Sequence, residues 1–217
     1  TVTATGKLPL KDTYTIVGST GAGTIGAIRI DALSSSDLPK GGPGRADNGS
    51  FLLTEVSVDV LRASGKREQT KIVRVSADYT QKNSEAGRAA DGLTSTGWGV
   101  SPEFGKDHHI VLAFAEPINL GAADKLEVVI DQNDGGSHLL GKFRVSVADG
   151  PSAILCAIPP SVSGVLKSQF LDKTAETELA TFALRETAAA GIAALPPQKR
   201  VYVAAKSADV EIGRAHV

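Results

Sequence analysis

The stretch from Ala89 to Phe114, AADGLTSTGWGVSPEFGKDHHIVLAF, constrains the fold of this chain most. Near its end Ile110, Leu112 and Phe114 alternate with Val111 and Ala113. Successive side chains of a strand point to opposite faces, so this strand is apolar on both and has to be covered on both. Such a strand belongs in the middle of a β-sandwich. Upstream, Asp91-Gly92 is a turn signal, because Asp hydrogen-bonds backbone two residues on and Gly takes positive φ without steric cost. Thr94 and Thr96 then bring hydroxyls close to the Asp91 carboxylate, and Trp98, the single tryptophan, follows directly. Its large apolar surface reads as a core anchor.

Other segments extend the pattern. Residues 13–17 and 25–33 have strand chemistry, with Thr20-Gly21-Ala22-Gly23 as the turn between them, and Ile28 and Ile30 alternate with Arg29 and Asp31 as if one face were buried and one wet. Phe51 to Val60 is the strongest strand, with Thr54, Val56, Val58 and Val60 on one face and Glu55 on the other. Residues 63–71 read as a charged hairpin tip, and Ile72, Val73 and Val75 begin another strand. Residues 125–130 and 140–147 complete the set, separated by a polar loop over 131–137. Strands at short spacing with Gly-rich turns define an all-β sandwich over residues 1–150. Past Gly150-Pro151 the composition shifts to Ala, Leu, Glu and Lys. Residues 163–195 predict one or two helices between Pro159-Pro160 and Pro196-Pro197, residues 200–205 a short strand, and 208–217 no regular element. Residues 151–217 are thus expected to form a helical C-terminal extension with a short terminal strand.

With 23 basic and 24 acidic side chains the net charge is −1, which argues against nucleic-acid or anionic-membrane binding driven by bulk charge. No apolar run is long enough for a membrane span. Cys156 is the single cysteine, so no internal disulfide can form, and a small buried apolar role suits it better than reactive chemistry. Beginning at Thr1 and lacking methionine, the chain is expected to be a piece of a longer precursor.

Nucleophile elbows, phosphate loops and His-Glu-x-x-His motifs are absent from the sequence, which favours a non-catalytic protein. His108 and His109 are adjacent, so in a strand they face opposite ways and cannot both serve one centre; a hydrolase built on one of them with an acidic partner is the least favoured reading. Residues 34–50 form a long Gly- and Pro-rich loop, and loops of this length inside a domain commonly carry function. Arg45, Asp47 and Asn48 are its polar tips, serving either a ligand or the loop's own backbone. Sugar binding needs hydrogen-bonding side chains and, usually, an aromatic plane against the C–H side of the ring. Tyr79 reads as an exposed ring, and Arg45, Asn48, Gln132, Asn133 and His138 as polar contacts.

The order "A, x, D-G, x, x, x-T, x-W", followed by a polar loop and an apolar strand, resembles the discoidin or coagulation-factor C-type module, a galactose-binding-like jelly roll. A broader likeness covers most of the chain through IRIDALSSSDLPKGGPGRADNGSFLLTEVSV, the DG…TGW segment and HLLGKFRVSV. These three blocks, in this order, resemble the central region of large secreted planctomycete cytochrome c-like surface proteins. The resemblance implies a mainly β protein with a jelly-roll β-sandwich, set in a secreted, periplasmic or cell-surface chain and binding polysaccharide without catalysis. It implies neighbouring domains as further partners and places any haem outside this stretch. The alternative is a structural spacer or protein-interaction domain. In the discoidin-like module the Asp of the DG turn, the Thr before the Trp and a Glu of a terminal strand commonly hold a structural calcium ion. Asp91 and Thr96 match directly, and Glu55 stands in for that Glu, although it precedes the DG turn where the family's Glu follows it.

Overall fold

The computed structural model describes residues 1–149, 158, 160–167 and 172–193. Two compact units divide the chain, Thr1–Phe170 and Leu171–Val217. The strands of the first unit are β1 (Val2–Thr3), β2 (Asp12–Gly18), β3 (Gly23–Ala32), β4 (Glu55–Leu61), β5 (Arg67–Gln69), β6 (Ile72–Ala77), β7 (His108–Leu120), β8 (Lys125–Gln132) and β9 (Lys142–Asp149). They form a mainly β, sandwich-like arrangement of two antiparallel sheets, one ordered β1-β9-β3-β7-β6 and the other β2-β8-β4-β5.

β7 is central to the five-stranded sheet, as its two-faced apolar pattern requires. Ile110, Leu112 and Phe114 enter the main core, where they meet Ile28 and Ile30 of β3, Val58 and Val60 of β4, and Val128 and Ile130 of β8. The opposite row, Val111 and Ala113, joins Ala27 in a second, smaller apolar cluster. Each fully buried large aliphatic or aromatic side chain contributes roughly 1.5–3 kcal/mol by leaving water. β7 also runs past Phe114 to Leu120. Its register against β3 jumps between Ile25 and Ala27, where β7 carries Pro117, a residue that has no N–H to give the ladder.

Two details depart from the sequence pattern, and the C-terminal stretch takes one of its two expected forms. Asp31, expected on a wet face, is 3% exposed; Arg29 and Arg144 neutralise it from either side, with contacts of 2.6 and 3.0 Å. The charged tip over residues 63–71 contains the short edge strand β5, paired with β4. The stretch expected to hold one or two helices has two, α1 (Pro160–Lys167) and α2 (Lys173–Ala193). Pro160 opens α1, where its missing N–H costs no bond. In the second unit, Asp172 accepts the Ala175 N–H at 2.8 Å and so caps α2. Cys156, the strand expected over 200–205 and the patternless tail lie outside the described residues.

Trp98 has no exposed surface and meets Phe51 edge-on at 5.2 Å between ring centroids. Its Nε1–H donates to the Tyr79 carbonyl at 2.9 Å, which ties two loops to the core. Trp98→Ala is expected to cost about 3–5 kcal/mol of unfolding free energy, read by chemical denaturation, whereas Val17→Ala, at a side chain 49% exposed, should change it by less than about 0.5 kcal/mol.

Candidate functional site

Pairing registers sort the connections by length. Ala32 sits opposite His108 and Phe143, and Asp131 opposite Glu55 and Thr13, so the connections over 4–11, 33–54, 78–107 and 133–141 gather at one end. The opposite end carries the short turns over 19–22, 62–66 and 121–124.

The long loops are bonded to one another. Arg45 N–H donates to Leu139 O at 2.8 Å, Leu52 N–H to His138 O at 3.1 Å, Gly105 N–H to Gly42 O at 2.7 Å, and Leu53 pairs with Trp98. Close approach demands glycine at two points. A Cβ on Gly44 would stand 1.8 Å from Ser50 O, and one on Gly97 2.4 Å from Leu53 O. Backbone bonds across loops keep these segments in fixed conformations, so a ligand meeting them finds side chains already placed.

The six candidate sugar contacts divide in two. Arg45, Asn48, Asn133 and His138 lie at this end with polar groups near the surface. Arg45 donates to Gly6 O and Lys7 O at 3.0 and 3.1 Å, strapping the N-terminal segment, and Asn48 Oδ1 accepts the Ser50 N–H. His138 Nδ1 bonds Asp134 at 2.6 Å, and no side-chain bond engages the Asn133 amide among the described residues. Gln132 and Tyr79 differ from the sequence expectation. Gln132 is 1% exposed; its Oε1 accepts Leu140 N–H, while its Nε2 is buried without a hydrogen-bond partner. Tyr79 is half-buried against the core and tilted over His108, its ring centroid 5.6 Å from the imidazole. It is therefore not the exposed ring that the sequence implies. Phe104, which sequence reasoning passed over, is half-buried beside Gly49, 3.6 Å from where a Cβ would stand on that glycine. An aromatic between Pro102 and Gly105 in a loop is the signal that marks it.

Asp91, Thr96 and Glu55 do come together. The Thr96 hydroxyl donates to Asp91 at 2.8 Å, Leu93 N–H donates to Asp91 Oδ1 at 2.9 Å, and Gly92 N–H donates to Glu55 Oε2 at 3.0 Å. Burial, helped by the negative charges of Asp91 and Asp131, pushes the Glu55 pKa up against the Gly92 bond. Among the described residues no group of three or more His, Cys, Asp or Glu side chains is placed to hold a metal.

His108 is 6% exposed, and its Nδ1 and Nε2 lie 2.9 Å from Asp78 Oδ2 and from Glu103 O. Both partners are acceptors, so the doubly protonated imidazolium is the form that satisfies both nitrogens. No ring nitrogen is left to move a proton on a substrate. His109, next along the strand, is half-buried with its Nδ1 3.8 Å from Asp78 Oδ1, so both imidazoles approach one carboxylate although they alternate in the strand; its pKa is lowered first by burial and then by Arg29. A groove of about 390 Å³ lies at the opposite end, lined by Arg62, Glu68, Asn119 and their neighbours. Its main polar groups already bond one another: Arg62 holds Glu68, Asn119 O and Asp124.

No family model matches the chain, and neither the curated proteins nor the solved structures contain a match to it. Within the described residues no helix is long and apolar enough to cross a membrane.

The hydrogen bond that His108 donates to Asp78 raises the His108 pKa above its ordinary 6.5, against burial and with help from Glu103 O. A raised folded-state value means that this contribution to stability is complete below about pH 6.5 and is lost as pH rises through the folded value. Asp78 has the opposite sense: burial works to raise its pKa, but the bonds from His108 and the His109 N–H outweigh it and hold the value below 3.8. Its contribution is complete above that value and is lost as pH falls through the lowered one. The thermal midpoint is expected to fall as pH rises from about 6.5 through the raised His108 value in the wild type and to lose most of this slope in His108→Gln. An equal slope in both would show that His108 is not the group responsible.

Proposed function

We propose that this chain is a non-catalytic carbohydrate-binding module, a jelly roll of the galactose-binding-like type, that recognises polysaccharide with the long-loop end of its sandwich. The observation that carries the reading is the segregation of long, mutually bonded loops at one end, with short turns at the other. Binding residues are concentrated on loops that a rigid scaffold positions. The loop over 45–50 reaches His138 through the Arg45–Leu139 bond and Phe104 through Gly49. It therefore joins a polar side, with Asn133, His138, Asn48 and Arg45, to an aromatic side. Phe104 takes the stacking role first read for Tyr79, and Gln132 and Tyr79 support the loops from beneath. His108, with both nitrogens engaged, favours binding over hydrolysis. In this reading the module belongs to a secreted or cell-surface multidomain chain of the kind its sequence resembles, with neighbouring domains as its other partners.

Calcium enters the proposal as a structural ion at the Asp91 corner. Two carboxylates and a hydroxyl are the hard oxygen donors that calcium takes, and backbone carbonyls complete such sites. Burial is the main reason the Glu55 pKa is raised, and the neighbouring charges of Asp91 and Asp131, which add to it, are ones a divalent cation would offset. Bound there, the ion would cross-link the Asp91 turn to the start of β4.

Two experiments test these statements. A glycan array run without and with calcium should show retention of one saccharide class with no product formed. Phe104→Ala and Asn133→Ala should each weaken it about tenfold, equivalent to ~1.4 kcal/mol, at an unchanged thermal midpoint. Silence across a broad panel by folded protein would replace this reading with a spacer or protein-interaction domain. Millimolar calcium should raise the midpoint of the wild type but not of Asp91→Ala; a midpoint indifferent to calcium and chelator would leave the corner to its hydrogen bonds alone.

A further inference from the structure

Among the described residues, the edge of β2 away from β8 has no paired strand. β1 ends its sheet with two residues, β5 ends the other with the charged triplet Arg67-Glu68-Gln69, and the β6 edge is interrupted by a register shift between Ile72 and Arg74. Short length, charge and bulges are the means by which edges resist pairing with another chain. β2 is long and unbulged, and its one charge, Asp12, lies at its first residue. The strand is seven residues long, keeps unbroken register with β8 from Asp12 to Gly18, and contains neither Lys nor Pro nor a bulge.

Exposed apolar side chains are carried by β2 and by the segment that leads into it. Val2, Leu8, Leu10 and Val17 are 41, 42, 68 and 49% exposed, all within the N-terminal segment that ends with β2. Between β1 and β2 the seam of the two sheets opens into a groove of about 350 Å³ whose lining includes Val2, Tyr14, Ile16 and Phe143. Tyr14 and Phe143 stack there at 5.6 Å with ring planes 7° apart. A free strand edge next to exposed apolar side chains marks a contact surface.

We propose that this surface is a self-association interface in which β2 pairs antiparallel with β2 of a second copy of this chain. Residues facing each other across an antiparallel pair put their side chains on the same face, and the register using all seven residues has its twofold axis at Thr15. Asp12 then faces Gly18 of the second copy, Thr13 faces Val17, Tyr14 faces Ile16 and Thr15 faces its own equivalent. The one charged residue of the strand meets a glycine, so no like charges oppose. The inner row sets the tyrosine ring against an isoleucine twice, extending the core across the axis. The outer row contains only threonine and valine. This is the self-complementarity that a twofold interface requires, and it joins two four-stranded sheets into one continuous sheet.

The test uses the full chain in sedimentation equilibrium over a concentration series. The wild type is expected to dimerise. Thr15 is exposed on the outer face of its sheet, so Thr15→Lys and Thr15→Glu leave the isolated fold intact, as circular dichroism and the thermal midpoint will verify. Each variant sets like charges directly opposite at the axis and should raise the dissociation constant roughly fivefold, at the upper end of the cross-strand range. An equimolar mixture of the two should recover dimer as the mixed pair. A wild type that is monomeric throughout, variants that dimerise as tightly as the wild type, or a mixture that recovers nothing would each overturn the proposal; the last two would assign any dimer to a different surface.

Discussion

The structure depends on residues 110–114 of β7 having no wet face. Val111 and Ala113 leave water on one side while Ile110, Leu112 and Phe114 do so on the other, so β7 is stable only between β3 and β6 and over the second sheet. That requirement sets the sheet order, because a strand covered on both faces cannot sit at an edge. β3 and β9 then extend the sheet on one side, and the four-stranded sheet supplies the row Val56, Val58 and Val60 opposite the β7 core row. Most of the buried side chains are aliphatic and many are β-branched, with Phe51, Trp98, Phe114 and Phe143 among them, which suits a pleated surface filled without large gaps.

Once the strands are so placed, the long connections have one place to go. They leave the sheets at the end where Ala32, Gln132 and the starts of β4 and β7 lie, and they would carry many unpaired backbone groups if they did not bond one another. The bonds from Arg45 to Leu139, Leu52 to His138 and Gly105 to Gly42 meet that need. The same bonds make the end stiff. Stiffness is what a shallow recognition surface requires, because side chains that are already ordered lose little entropy when a ligand arrives.

Much of the fold was legible in the sequence and less of the site. Period-two patterns located the main strands, since alternation of apolar residues follows directly from the pleat, and the Asp91–Thr96 contact follows from an Asx turn with a hydroxyl in reach. β5 escaped because Arg67-Glu68-Gln69 has no apolar alternation; its pairing comes from lying across a hairpin from β4. Asp31 escaped because a charged residue in an alternating run reads as wet, and only the tertiary fold brings Arg144 beside it. Tyr79 was misread because its burial depends on Trp98 and His108, distant in sequence. The His108–Asp78 pair has no signature at all, the two residues being joined only by the register of β6 against β7.

The treatment of charge shows what kind of recognition this fold can perform. Asp31, Asp59 and Asp124 are all 9% exposed or less, and each is held by arginine at the sheet surface or in a turn. Backbone N–H groups of Gly121 and Ala63, with Arg62, hold the Asp124 pKa down to about 2, so that turn keeps its charge throughout the neutral range. Charges spent on internal pairs contribute little field outside the protein, and a net charge of −1 adds almost none. Attraction at long range is therefore weak. In the proposed function the ligand is chosen at contact distance, by hydrogen bonds from groups such as Asn133 and His138 and by apolar contact with a ring such as Phe104. That mode suits neutral, hydroxyl-rich ligands better than strongly charged ones, since a polyanion or polycation draws most of its affinity from a field of opposite sign.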